Sequence, residues 1–236
     1  MEKKIQPDAV SFLKRTQREI MQTWAESASP LVSINAIAYN HVHFIRQALD
    51  GFLMQETNFP FEILIHDDAS SDGTADIIRE YAEQYPYIIK PVYQTENQYS
   101  KRVGISLTFN FPRVRGKYLA MCEGDDYWTD PLKLQKQVDY LEANPDCSVC
   151  FHPVKVIYED GSVEETVYPE KNEFPLNTGR TDFNAFDLLR RNFIQTNSVV
   201  YRWVGVDKIP DFFQKHTAGD FQLHFLHAVN GKIGYI

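Results

Sequence analysis

The chain has 236 residues, 43% of them hydrophobic and 14% aromatic, and a formal net charge of −8. That length suits one large domain with a buried core. The acidic balance lacks the clustered Lys and Arg of a nucleic-acid footprint, and no apolar run approaches the ~20 residues of a membrane span.

Lys3 and Lys4 have no apolar stretch behind them, so the start does not read as a secretory signal. Residues 8–26 read as one helix, with Val10, Leu13, Ile20, Met21 and Trp24 as an imperfect apolar stripe. Packing on the domain or on a second copy is the plain reading, which makes this helix a candidate homodimer contact. With Lys14, Arg15 and Arg18 on its surface, a peripheral membrane contact is the sharper one. The stripe breaks between Arg15 and Glu19, which favours packing. Residues 27–30 form a linker ended by Pro30.

From Leu31 the pattern alternates. Strands are expected at 31–38, 61–66, 88–93 and 117–122, with helices at 44–53, 75–85, around 105–111 and after Pro131. Pro91 marks the third strand as an edge. This alternation predicts an α/β fold with a mostly parallel sheet flanked by helices. Beyond Pro145 the pattern turns to β. Strands are expected at 147–152 and 154–158, a hairpin turn at 159–162, and strands at 163–168 and 194–202. Short helices follow at 183–191 and 221–229. The chain thus divides into an extension over 1–29, a first half over 30–146, and a smaller mixed β region over 147–236. Cys122, Cys147 and Cys150 do not make a disulfide framework and imply a reducing, cytoplasmic setting. Cys147-Ser148-Val149-Cys150 lies in a strand-like run, which predicts packing rather than redox exchange.

Three polar clusters fall at carboxyl ends of strands: Tyr39-Asn40, Asp67-Asp68, and Glu123-Gly124-Asp125-Asp126. In an open α/β sheet that edge is where ligands bind. Carboxylates gathered there suit a hard divalent cation shared with phosphate oxygens.

Taken together, the motifs resemble the inverting nucleotide-sugar glycosyltransferases of family 2, with the GT-A fold. The resemblance runs from about Leu31 to the last residue. It rests on Ala38-Tyr39-Asn40, Asp67-Asp68-Ala69-Ser70-Ser71-Asp72-Gly73-Thr74, Glu123-Gly124-Asp125-Asp126 and Ala218-Gly219-Asp220. It implies a metal-dependent transfer of a sugar from a nucleotide-diphosphate donor, UDP-hexose or dTDP-sugar, to a hydroxyl of a glycan or lipid-linked glycan in surface polysaccharide synthesis. Asp68 would contact the nucleobase, Tyr39 would lie beside it with Asn40, and Asp67 would stabilise the turn. Glu123 departs from the family's usual Asp and is expected at the ribose. Asp125 and Asp126 would share the ribose hydroxyl and a Mg²⁺ or Mn²⁺ ion, in an order the sequence leaves open. By spacing alone Asp220 reads first as an N-cap; the family pattern reverses that and matches it to the catalytic base. Asn197, Ser198 and Trp128 would line the acceptor side.

The family commonly continues past residues 231–236 into a segment that closes over the donor phosphates, which implies either a chain cut short of that segment or a closing loop that is lost. Lys101 and Arg102 are candidates to reach a phosphate. His224 and His227, three apart on a helix, read as packed side chains rather than a metal pair, and His66 as strand-end packing. A sugar-1-phosphate nucleotidyltransferase would need a Gly-rich basic loop where Tyr39-Asn40-His41-Val42-His43 stands, and a dinucleotide oxidoreductase a Gly-x-Gly-x-x-Gly. A non-catalytic binding module of a larger synthase is the remaining alternative, opposed by the intact Asp220.

Overall fold

The computed structural model describes residues 14–24, 29–158, 164–210, 213 and 219–236. Its elements in chain order are α1 (Gln17–Met21), β1 (Val32–Ala38), α2 (Ile45–Leu53), β2 (Phe61–Asp67), α3 (Thr74–Gln84), β3 (Ile89–Tyr93), β4 (Tyr118–Met121), α4 (Lys133–Ala143), β5 (Cys147–Phe151), β6 (Val154–Val156), β7 (Thr166–Tyr168), β8 (Asp182–Phe183), α5 (Ala185–Arg190), β9 (Val200–Arg202), α6 (Gly219–Ala228) and β10 (Lys232–Tyr235).

Eight strands make one sheet in the order β3-β2-β1-β4-β9-β5-β10-β8. β1 pairs parallel with both β2 and β4, and β2 pairs parallel with β3. β9 is inserted antiparallel between β4 and β5, so β4 and β5 still point the same way. The Pro91 strand is indeed an edge. β1 and β2 are buried almost throughout, because helices cover both faces; such strands need continuous apolar runs rather than alternation. One apolar cluster gathers around β1, β2, α2 and α4, and a second, rich in Phe, around β5, β9 and α6.

In the 147–236 region β5, β9, β10 and β8 extend the main sheet, and among the described residues β6 and β7 stand apart as an antiparallel ribbon. The turn expected at 159–162 lies outside the described residues. Two expectations change. First, the helix expected over 8–26 is short among the described residues; Thr16 caps it in a reciprocal capping box with Glu19, so α1 begins at Gln17. Residues 8–13 and 25–26 lie outside the described residues. Arg15, expected on the helix surface, instead donates to the Leu53 and Gln55 carbonyls at 3.2 and 2.7 Å. Ile20 is buried in the first apolar cluster, and Trp24 meets Phe61 edge-on at 5.1 Å. Second, the helix near 105–111 is a π turn over Ser106–Asn110 followed by a 3-10 turn. Asn110 pins it to the sheet, its amide donating to Asn35 Oδ1 at 2.9 Å and to the Ala36 and Leu64 carbonyls at 3.2 Å. Cys122, Cys147 and Cys150 are all buried free thiols, so the packing reading of the Cys147–Cys150 pair holds.

Candidate active site

The ends of β1, β2 and β4 meet on one edge, as the strand pattern predicted. β1 leaves the sheet through Asn40, whose φ of 56° is left-handed, a conformation Asn tolerates. Its backbone N–H donates to Ser70 Oγ and its side-chain Oδ1 accepts from the Ser71 N–H, both at 2.9 Å. Asp72 spans the same gap, accepting from the Val42 N–H at 3.0 Å and the Thr74 N–H at 2.9 Å. Gly73, at φ 103°, makes the turn into α3 that a side chain would strain. Asn40 therefore locks two loops together, while Tyr39 beside it remains 46% exposed with an open ring face.

Asp68 is engaged differently from the base contact expected of it. It has no exposed surface, and its two carboxylate oxygens accept the Gln98 and Tyr99 backbone N–H groups at 2.8 and 3.0 Å. His66 Nε2 lies 3.5 Å from the first of these oxygens. Burial holds that imidazole's pKa below its ordinary value, so the ring is a neutral neighbour. In this arrangement Asp68 is the anchor of the 94–102 loop. Asp67 accepts the Ser70 N–H at 3.2 Å, the turn-holding role expected of it. Lys101 pairs with Glu96 and so points back along its own loop.

The β4 end is the opposite case. Gly124 N–H donates to the Ile37 carbonyl at 2.9 Å, which brings the acidic turn against β1. A Cβ at Gly124 would meet His41 Nδ1 at 3.0 Å and Ala38 Cβ at 3.1 Å, so the close approach needs glycine. The carboxyl groups that follow lack the N–H donors that saturate Asp68. Asp126 is half-buried; loss of water and the charge of Asp125 push its pKa up to about 6. Glu123 keeps exposed surface. Desolvation, then repulsion from Asp125, Asp126 and Asp220, raises it to about 7. His41 Nε2 approaches Asp125 Oδ2 at 3.8 Å. Among the described residues no group of three or more His, Cys, Asp or Glu side chains is gathered at metal-binding spacing. Uncompensated adjacent carboxylates facing open space fit a hard cation that completes its shell with ligand oxygens and water.

Asp220 reaches this cluster from the far end of the chain. It lies in the first turn of α6 rather than before it, its Oδ1 accepting the Phe221 N–H at 2.7 Å and its Oδ2 facing Thr196 Oγ1 at 3.5 Å. Ala218 of its motif lies outside the described residues. Behind it, His224 and His227 are fully buried. His224 Nδ1 shares a short hydrogen bond with Tyr201, and His227 stacks on the Tyr201 ring at 4.2 Å. Burial takes both imidazoles down to about 4, so they are neutral packing, as expected.

A cleft of about 830 Å³ opens beside Asp125 and Asp126 and runs past Trp128, Asn197 and Gln195. Trp128 and Asn197 come together, the indole Nε1 donating to the Asn197 carbonyl at 2.7 Å. Trp128 is both core and wall: 3% exposed and edge-on to Phe52 at 4.9 Å. Ser198 turns the other way, contrary to its expected acceptor-side place. It is buried in a 3-10 turn and donates to the Gln195 carbonyl at 2.7 Å. Gln137 of α4 ties that turn to β5, donating to the Ser198 and Cys150 carbonyls at 2.9 Å. Sequence reasoning missed Lys133 and His152, which line the same cleft. A lysine in the first turn of an amphipathic helix carries no signal that it is buried.

The family model described as Glycosyl transferase family 2 matches residues 33–202. The chain belongs to glycosyl transferase family 2. An uncharacterized protein of Mycobacterium tuberculosis is 49% identical over 208 residues, 87% of this chain and 56% of its own length. The chain thus spans just over half the length of such relatives. Among solved structures, S. aureus TarS superposes with a TM-score of 0.62 at 16% identity, over 87% of this chain and 35% of that one. The mannosyltransferase PcManGT from Pyrobaculum calidifontis, in complex with GDP-Man and Mn²⁺, gives 0.59 at 19% identity, over 89% and 55%. TarS residues 1–349 have also been seen with UDP and with UDP-GlcNAc. These family 2 likenesses establish the α/β GT-A architecture. No helix among the described residues is long and apolar enough to cross a membrane.

Proposed function

We propose that this region of glycosyl transferase family 2 is the catalytic part of a metal-dependent inverting glycosyltransferase, moving a sugar from a nucleotide-diphosphate donor to an acceptor hydroxyl. The observation that carries the reading is the gathering of Glu123, Asp125 and Asp126 at the strand-end edge, without backbone donors and beside the cleft, with Asp220 the smallest of the charges that act on Glu123. Carboxylates that repel one another in a folded site are kept for a ligand, not for stability. Relatives of the fold that bind UDP, UDP-GlcNAc or GDP-Man with Mn²⁺ support the same ligand class.

In this reading Tyr39 offers its exposed face to the nucleobase, and Glu123 and Asp125 stand at the ribose. Asp126, with Asp125, holds Mg²⁺ or Mn²⁺, which when bound neutralises charge on the departing diphosphate. Asp220 takes the proton of the acceptor hydroxyl as that oxygen attacks C1; the C1–oxygen bond to diphosphate breaks and the anomeric configuration inverts. A base kept partly in solvent and within reach of Thr196 is free to accept that proton. The acceptor enters along the Trp128–Asn197 cleft. The donor is a UDP-hexose or a dTDP-sugar and the acceptor a glycan, lipid-linked or free, made on the cytoplasmic face of a membrane.

The test is turnover of a panel of UDP-, dTDP- and GDP-sugars with simple glycoside acceptors, the product anomer read by NMR. Inverted product that disappears in Asp220→Asn supports the proposal. A retained anomer, or Asp220→Asn activity equal to wild type, contradicts it.

A further inference from the structure

The cleft is lined by both signs of charge: Asp125, Asp126 and Asp130, and Lys133, Lys136, His152 and Lys155, a basic gathering in a chain of net charge −8. Lys136 is paired with Asp130 at 2.7 Å, and Lys155 with Glu165. Lys133 is different. Its side chain is 3% exposed, its Nζ donates to the neutral Gln137 Oε1 at 2.7 Å, and it sits 4.1 Å over the Trp128 ring. The carboxylate that pulls on it, Asp130, is already taken by Lys136. His152 points its Nδ1 at the Pro153 carbonyl, 2.8 Å away, and leaves a buried Nε2 with no partner.

We propose that Lys133 and His152 form a recognition site for an oxyanion, a phosphate or carboxylate carried by the acceptor, so that this transferase region acts on an anionic glycan. The inference rests on the transferase reading and names the acceptor class for it. A buried ammonium without a carboxylate partner is costly to keep, and a buried imidazole nitrogen without a partner likewise. Both costs vanish when an anion enters and the imidazole, whose Nδ1–H is already given to the Pro153 carbonyl, takes up a proton at Nε2: one anionic oxygen then accepts from Nζ and another from Nε2–H. The strain on the empty pair shows in their acidities: burial brings the lysine down to about 7 and the histidine to about 4, and the lysine's charge adds to the depression at His152. Gln137 and the Trp128 face hold Nζ in place at the cleft wall. Asp125 and Asp126 line the same cleft, which would put a neighbouring hydroxyl of an anionic acceptor toward the donor.

Methyl phosphate, methyl β-glucuronide and the neutral methyl β-glucoside serve as probes, titrated in metal-free buffer against the His152 imidazole and Trp128 indole NMR signals. Saturable shifts are expected with one or both anions and not with the glucoside; which anion binds more tightly tells phosphate from carboxylate. Lys133→Met should weaken anion binding at least tenfold while leaving UDP binding in the presence of Mn²⁺ unchanged. Lys133→Gln is the second variant should the methionine not fold. Anions that leave both signals unmoved, glucoside binding as tight as glucuronide, or unchanged anion affinity in the folded Lys133 variant would each overturn the inference. UDP titrated with Mn²⁺ into the same wild-type sample tests the transferase reading separately.

Discussion

Two acidic clusters close neighbouring strands of one sheet, and they behave in opposite ways. At the β2 end, Asp68 is buried with both oxygens fed by the Gln98 and Tyr99 N–H groups at 2.8 and 3.0 Å, while Asp67 takes the Ser70 N–H at 3.2 Å on one oxygen and leaves the other without a partner. At the β4 end, Glu123 and Asp126 lack such donors, and desolvation with the charge of Asp125 raises both. The residue types are nearly the same. What differs is the supply of donors, and with it the role: a satisfied carboxylate fixes a loop, whereas an unsatisfied one keeps a place for a cation.

The largest expected effect concerns Asp220, which joins the open cluster without sharing its burial. Asp220→Asn should lower turnover by about a hundred- to ten-thousand-fold, the range of general-base removal, with UDP affinity unchanged. Steady-state rates beside calorimetry check it; parallel loss of binding would make Asp220 a binding residue instead.

Next comes the pH response of the open cluster. Asp126 has a folded pKa of about 6, above the ~3.9 of an unfolded Asp. A raised carboxyl costs the fold nothing below the unfolded value and destabilises it progressively as pH rises through the folded value. Metal-free protein should therefore melt at lower temperature at pH 7.5 than at pH 5, and Asp126→Asn should flatten that difference. Mn²⁺ should reverse it above pH 6 and bind with release of protons. A Tm that rises with pH in wild type and variant alike would break the contrast.

The satisfied cluster should respond in the other sense. Asp68→Ala orphans two backbone donors, at about 1–3 kcal/mol each. It should lower Tm and speed hydrogen exchange at Gln98 and Tyr99. If it instead leaves stability intact and abolishes UDP binding, Asp68 is a base contact after all. The smallest effect is Gly124→Ala, whose methyl would sit 3.0–3.1 Å from His41, Ala38 and Ile37. A severalfold loss of UDP affinity with little change in Tm is expected from calorimetry and melting.

Much of this arrangement could be read from residue order. Apolar runs bounded by Asn40, Asp67 and Glu123 marked parallel strands and put their polar ends on one edge, because strand period and turn chemistry are local properties. Pro91 marked its edge for the same reason. Local pattern could not tell which carboxylates would find donors, since the Asp68 partners come from a loop some thirty positions away. Nor could it show Ser198 turning inward, or Lys133 buried over Trp128 with Gln137; these are set by how α4 packs on β5 and β9. Among the described residues, the helical spacing ran through Lys14–Thr16, where Thr16 caps α1 instead. β8, two residues long, had no pattern to read.

The most direct measurement is a calorimetric titration of UDP into the metal-free protein at pH 7.5, repeated with Mn²⁺ and with Asp126→Asn. The open acidic cluster as a donor site predicts binding that depends on Mn²⁺ and is lost in the variant. Equal UDP affinity with and without the metal, or in Asp126→Asn, would contradict it.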